Sequence, residues 1–217
     1  MSDSAKNISE VGKKLIKNVA RLNEFVQELK QEGYTFLDYD NALLKNGWLI
    51  PDELMVRDIM LLAFQFENNQ IDNADKFLIN YFKKQLIRIK RELIKKYPDR
   101  EGILKEAFEA HKKKMYYSST ILFISQADGI TENNILSGKN FKNFVKRNEA
   151  HPLSELFTNP NPITSTFYKK KLDNGDETKI NRHGIMHGLI LDYGSELNSY
   201  KALSLLYFVS NHRNEIA

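Results

Sequence analysis

The sequence predicts an all-α protein: an antiparallel helical bundle over residues 98–217, with an additional N-terminal helical part over 1–97 that either stands apart or runs into the bundle as one continuous domain. Three observations predict it. Apolar residues recur at steps of three and four, the period of a helix face, rather than at the steps of two that mark strands. Only 10 glycines and 5 prolines occur in 217 residues, too few turn formers for a β-rich chain of this length. Hydrophobic residues make up 41% and charged residues 28%, the composition of a chain that buries a core.

The elements follow in order. Val11, Leu15, Val19, Leu22, Val26 and Leu29 line one face of a helix over 5–31, with Gly33 as its stop. A short helix over 37–45 closes at Asn46-Gly47, and Trp48, the sole tryptophan, fills a core gap beside the turn rather than stacking on a ligand. Pro51-Asp52-Glu53 opens a helix through Leu54–Phe66. Asn68-Asn69 breaks it, and Asp72 or Asn73 caps the next, which runs to about Lys96. On that helix Phe82, Leu86, Ile89 and Leu93 form a core stripe. Lys84, Arg88, Arg91 and Lys95 form a basic ridge with one nearby acid, Glu92. Tyr97-Pro98-Asp99 is a boundary, followed by helices over 99–114 and 115–127, with Gly129 as an interruption.

Residues 131–177 form a long basic excursion holding three of the five prolines, with Asn-Pro-Asn-Pro at 159–162 and a short basic helix over Lys139–Arg147. A helix over 178–191 comes next, with Ile185, Met186, Leu189 and Ile190 buried. Asp192–Ser195 makes a tight turn with Ser195 as N-cap. The last helix, 196–212, buries Leu203, Leu206 and Val209 or Ser210.

The absence of cysteine excludes disulfides, thiolate metal sites and cysteine nucleophiles. No signal core opens the chain and no apolar run reaches the roughly 18 residues of a membrane span, so the expected address is cytoplasmic, without a membrane. The net charge of +4 is uneven. Residues 1–137 carry 21 basic and 20 acidic side chains, residues 138–182 carry 9 and 5, and residues 183–217 carry 2 and 3. The excess leads into the densest polar cluster, which suits a phosphate-bearing partner.

That cluster is Asn181-Arg182-His183-Gly184-Ile185-Met186-His187-Gly188. Arg182 and His187 are separated by four residues, a turn follows, and then an apolar helix. The pattern resembles the HEPN superfamily of nucleotide-binding helical domains, whose ribonuclease members carry Arg-x(4–6)-His near the start of a late bundle helix. The close resemblance covers residues 178–210; earlier helices match only in being helical. It implies a HEPN-like bundle, a metal-independent endoribonuclease needing no cofactor, and a homodimer whose two motifs face each other. It also implies a toxin or phage-defence setting, with an antitoxin or regulatory partner. Arg182 and His187 would be catalytic, with His183 beside them.

The residue types suit that chemistry. Cleavage by the RNA's own 2′-OH needs a proton acceptor, a proton donor and a cation on the phosphorane. Histidine titrates near neutrality and serves either proton role, and arginine holds phosphate oxygens with a permanent charge. Expected substrate contacts are Asn181, Lys139, Lys142, Lys146, Arg147, Lys169, Lys170, Lys171 and Lys179, several interleaved with Phe141, Phe144, Phe167 and Tyr168, which can stack unpaired bases. Two other readings stay open. His183 and His187, at i and i+4, have the spacing of helical zinc ligands, though no Glu lies between them. Alternatively Arg182, His183 and His187 are structural, and the chain is a catalytically silent helical module that binds RNA or a partner protein. Asp128, a possible helix cap, and His111, set among lysines, receive no catalytic role.

Overall fold

The computed structural model describes residues 42–49, 53–131 and 181–212. Of the described residues 78% are helical and none lies in a strand, so the fold is all-α. The elements are α1 (Val56–Glu67), α2 (Ile71–Lys96), a 3₁₀ turn (Pro98–Arg100), α3 (Glu101–Lys112), α4 (Tyr116–Ile130), α5 (Arg182–Met186) and α6 (Glu196–Asn211), preceded by a helical turn at 42–45. Among the described residues no helix is long and apolar enough to cross a membrane. The helix over 5–31 and the excursion from 132 onward lie outside the described residues.

Helix α6 is the centre. It packs most extensively on α4 and also on α2, while α3 packs on α4 and α2, and α1 on α2. The sequence expects a one-sided helix here. Instead every residue from Asn198 to Ser210 is buried, because neighbours surround α6. Its polar side chains bond to those neighbours. Leu49 donates its backbone N–H to Ser204 Oγ at 3.3 Å, and the Tyr97 hydroxyl and Lys96 ammonium both reach the Ser210 carbonyl, which the end of a helix leaves open. The apolar residues of all these elements form one core, from Ala42 and Trp48 to Val209.

Trp48 fills that core as expected. It is buried, stacks on Phe82 at 5.8 Å, and donates its indole N–H to Asp75 Oδ1 at 2.7 Å. Lys201 of α6, only 2% exposed, lies 4.0 Å from the same carboxylate oxygen and 5.8 Å from the Trp48 ring centre. Burial outweighs Lys201's charge and the indole bond and holds the Asp75 carboxyl above the usual carboxylate range.

Helix ends show a common device. The backbone N–H of Trp48, Gln70, Met115 and Leu189 each reaches back five residues, to the carbonyls of Leu43, Gln65, Ala110 and Gly184. The residue before each donor has a positive φ: Gly47 (81°), Asn69 (57°), Lys114 (60°) and Gly188 (68°). Gly47, the Asn68-Asn69 break and the Pro98 boundary stand where the sequence puts them.

Several boundaries differ. Helix α1 opens at Val56, so Glu53 and Leu54 precede it instead of lying in the helix that Pro51-Asp52-Glu53 is expected to open, and α2 opens at Ile71 with Gln70 as its N-terminal flank, so Asp72 sits in the first turn instead of capping. Gly129 does not interrupt α4; it lies inside the helix. A Cβ there would meet Arg100 Nη1 at 2.6 Å, and the bare glycine lets Arg100 donate to the Gly129 carbonyl at 3.0 Å and to Gln126 Oε1 at 2.9 Å. The residue is chosen for a close approach, which reads in sequence as a breaker. The helix expected over 178–191 is five residues long, because Gly188 takes the left-handed conformation and ends it.

Candidate functional site

The Arg182–His187 motif occupies α5 and its C-terminal flank. Asn181 precedes the helix and caps it, its Oδ1 accepting the Gly184 N–H at 2.8 Å while its carbonyl accepts the Ile185 N–H at 3.0 Å. Arg182 and His183 are the first two helical residues. Ile185 is buried and anchors the turn, with α5 packed on α4. His187 follows the last helical residue and is exposed, immediately before the reversal at Gly188. The backbone thus brings Asn181, Arg182, His183 and His187 into one short capped element, anchored by Ile185.

The segment beyond it is less buried than its sequence predicts. Ile185 is buried, but Met186 is exposed, Leu189 is 52% exposed, Leu191 is 75% exposed and Ile190 is half-buried. The short helix explains this: past Gly188 the chain no longer follows the 3.6-residue period that would turn Leu189 inward. The Ser195 N-cap forms as expected, its Oγ accepting the Asn198 N–H at 3.1 Å.

The remaining predicted contacts, Lys139, Lys142, Lys146, Arg147, Lys169, Lys170, Lys171 and Lys179, lie outside the described residues. Of the basic ridge on α2, Lys84, Arg91 and Lys95 are exposed, but Arg88 is not an open cation. It bonds Glu53 Oε1 at 3.0 Å, Glu92 Oε1 at 2.9 Å and the Tyr207 hydroxyl at 3.1 Å. The Tyr207 hydroxyl lies 2.6 Å from Glu53 Oε1 and 2.9 Å from Glu92 Oε2, so its one proton serves two carboxylates. Burial pushes Glu53 up, but the bonds from Tyr207 and Arg88 outweigh it and hold the carboxyl below its usual value. The sequence names one acid beside Arg88; the second, Glu53, is 35 residues away in the chain and gives no local signal. This cluster ties α2, α6 and the entry to α1 together.

His111, which the sequence leaves without a role, is 5% exposed. One ring nitrogen, Nδ1, lies 2.8 Å from Ser199 Oγ, which in turn lies 2.6 Å from Ser119 Oγ. Tyr200, Tyr116 and Phe123 surround the imidazole, at 4.4, 5.6 and 6.3 Å between ring centres. Burial pushes its pKa down to about 4, so it is neutral at physiological pH. Ser119 and Ser199 are fully buried, which denies any substrate this histidine–serine pair. It is a packing network joining α3, α4 and α6.

Among the described residues no group of three or more His, Asp or Glu side chains is placed to hold a metal ion. Compared with known proteins, the chain matches no family model, no curated protein and no solved structure.

Proposed function

We propose that this chain is a metal-independent endoribonuclease of the HEPN kind, cleaving single-stranded RNA as a homodimer. The observation that carries the reading is the Arg182-x4-His187 motif held in a capped helix and turn, with His187 exposed at its end. The buried His111–Ser199–Ser119 network is closed to substrate, whereas His187 is open to it.

In the proposed reaction the RNA 2′-oxygen attacks the adjacent phosphorus and the bond from phosphorus to the 5′-oxygen breaks. The 2′-proton passes to a histidine and the leaving 5′-oxygen takes a proton from one, so protons balance over the step. Arg182 holds the charge on the non-bridging oxygens. One Arg and one His per chain make half a symmetric site, which is why the reading requires a dimer. A toxin or phage-defence role with an antitoxin partner belongs to the same proposal.

The test is cleavage of an unstructured RNA in EDTA. The expected products carry 2′,3′-cyclic phosphate ends, and 2′-O-methyl RNA resists. Arg182→Ala and His187→Ala should each lower the rate by about 10²–10⁴, with light scattering still giving a dimer. Parent-like rates in both variants overturn the reading. A second reading, a catalytically silent module binding a partner protein, is favoured by Met186, Leu189 and Leu191 standing exposed around His187. It takes over if RNA is bound or ignored but never cut.

A further inference from the structure

The α3–α4 corner reads Lys112-Lys113-Lys114-Met115-Tyr116-Tyr117, three cations followed by two aromatics. All are exposed except Tyr116, which is half-buried. Tyr117 is 50% exposed, yet its ring is held. It meets Tyr193 edge-on, with 5.0 Å between ring centres and 83° between planes, and it lies so close to Gly194 that a Cβ there would stand 2.3 Å from Tyr117 Cε2. Tyr193 and Gly194 belong to the segment that carries His187, and α5 itself packs on α4. A fixed, half-open aromatic ring therefore shares a surface with the motif segment.

The charges around it favour an anion on the lysine side. Lys113 pairs with Glu109 at 3.7 Å across two exposed side chains, an interaction worth little in water. No ion pair among the described residues engages Lys112 or Lys114. The acids nearby are Glu109, Asp192 and Glu196, the last two on the 192–196 side of the corner rather than on the lysine turn. Lys114 also occupies a left-handed position, which at the other three such helix ends is filled by Gly47, Asn69 and Gly188. Lysine is the costliest of the four there, and residues held in costly conformations cluster at functional sites.

We infer that this corner is a single-stranded RNA contact: a base stacks on Tyr117 while neighbouring phosphates lie on Lys112 and Lys114, leading the strand to the Arg182–His187 element. The inference rests on the ribonuclease reading for the identity of its ligand. Every base has a π-face, so a stacking ring tolerates any sequence, and lysines at its edge track the backbone.

The test uses a fluorescein-labelled 2′-O-methyl RNA decamer, which can bind but not react, with binding followed by anisotropy at two salt concentrations. Tyr117→Ala should weaken binding about 5- to 150-fold, the usual span for losing one stacked base. Tyr117→Phe should stay within about twofold of the parent, and Tyr117→Leu should behave like the Ala variant, which separates stacking from mere bulk. Lys112→Gln with Lys114→Gln should reduce the salt slope by about 1.4, roughly 0.7 for each phosphate on a single strand. In Tyr117→Trp, emission should be quenched on adding RNA, over a constant signal from buried Trp48. A parent that binds and cuts RNA while all the corner variants match it overturns this inference and leaves the ribonuclease reading standing. A parent that neither binds nor cuts RNA overturns both. A change in oligomeric mass with Tyr117→Ala, at unaltered RNA affinity, makes the corner a self-docking surface and overturns the inference.

Discussion

Helix α6 and the 181–194 segment are neighbours in sequence and opposites in construction. In α6 the polar residues from Asn198 to Ser210 are buried, and most are tied by hydrogen bonds or an ion pair: Ser199 to His111 and Ser119, Ser204 to Leu49, Tyr207 to Glu53 and Glu92, and Lys201 paired with Asp75 at 4.0 Å. In the 181–194 segment one apolar side chain, Ile185, is fully buried, while His187, Leu189, Leu191 and Asp192 are exposed. A polar residue in the first setting is accounted for by the fold. A histidine in the second is not needed for packing. The comparison therefore separates residues buried in the core from residues exposed on the motif segment, and it can be tested from both sides.

The largest expected effect on stability lies in the core. Asp75→Leu leaves Lys201 charged and buried and removes the acceptor of the Trp48 indole, and it should lower unfolding free energy by on the order of 3–5 kcal/mol in urea melts. Adding Lys201→Met should recover much of that loss, because a buried pair replaced by apolar groups of similar size is often close to neutral. His187→Ala in the same melts should stay within about 0.5 kcal/mol of the parent. If His187→Ala costs as much as Asp75→Leu, the contrast between the two regions fails, and with it the case that the motif is functional rather than structural.

The next effect depends on pH and belongs to His111. Its folded-state pKa, pushed down to about 4 by burial, lies below the ordinary 6.5. As pH falls through that interval the unfolded chain takes up the proton first. Stability is therefore full above about 6.5 and is lost towards pH 4, by up to about 3 kcal/mol from this group. Asp75, whose pKa is raised, acts in the opposite sense: it favours the folded chain at low pH and loses that contribution as pH rises. His111→Gln isolates the first term. Its urea midpoint should vary less between pH 4 and 6.5 than the parent's. Equal slopes would show that the buried imidazole is not the titrating group.

These contrasts were only partly readable from sequence. The helices, the Gly47 and Pro98 boundaries, the core position of Trp48 and the Ser195 cap carry local signals: apolar period, turn residues, a hydroxyl three residues before the N–H it accepts. What sequence could not give was burial from all sides. In α6 the sequence predicts one buried side, at Leu203, Leu206 and Val209 or Ser210; Lys201, Ser204 and Tyr207 lie off that stripe yet are buried, and the partners of Ser204 and Tyr207 stand 115 to 155 residues away. The same limit hid Glu53 beside Arg88. In the candidate site the opposite error arose: Leu189 reads as buried when the apolar period is continued past Gly188, which ends the helix after five residues, and Met186, inside that helix, is also exposed. The Tyr117–Gly194 contact gave no signal at all, since glycine there means close approach of a ring rather than a turn.

The smallest effect sharpens the exposed side of the comparison. Lys114 ends α3 with φ of 60°, a conformation that costs a side chain with a Cβ about 1–2 kcal/mol. Glycine adopts it freely but loses more chain entropy on folding, so Lys114→Gly should stabilise the protein by a net of about 0.5–1 kcal/mol. For a chain of this size that is a rise in melting temperature of about 1–4 °C, readable by calorimetry. Asn69→Gly supplies the control: asparagine already tolerates the left-handed region, so the same change at that helix end should gain only a few tenths of a kcal/mol. If the lysine is kept for its charge, Lys114→Gly should also weaken RNA binding and lower its salt slope by about 0.7, whereas Asn69→Gly should leave both unchanged. A variant that is more stable and binds RNA as well as the parent would show that the strain at Lys114 serves no ligand, and the corner would then belong with the inert surface rather than with the motif.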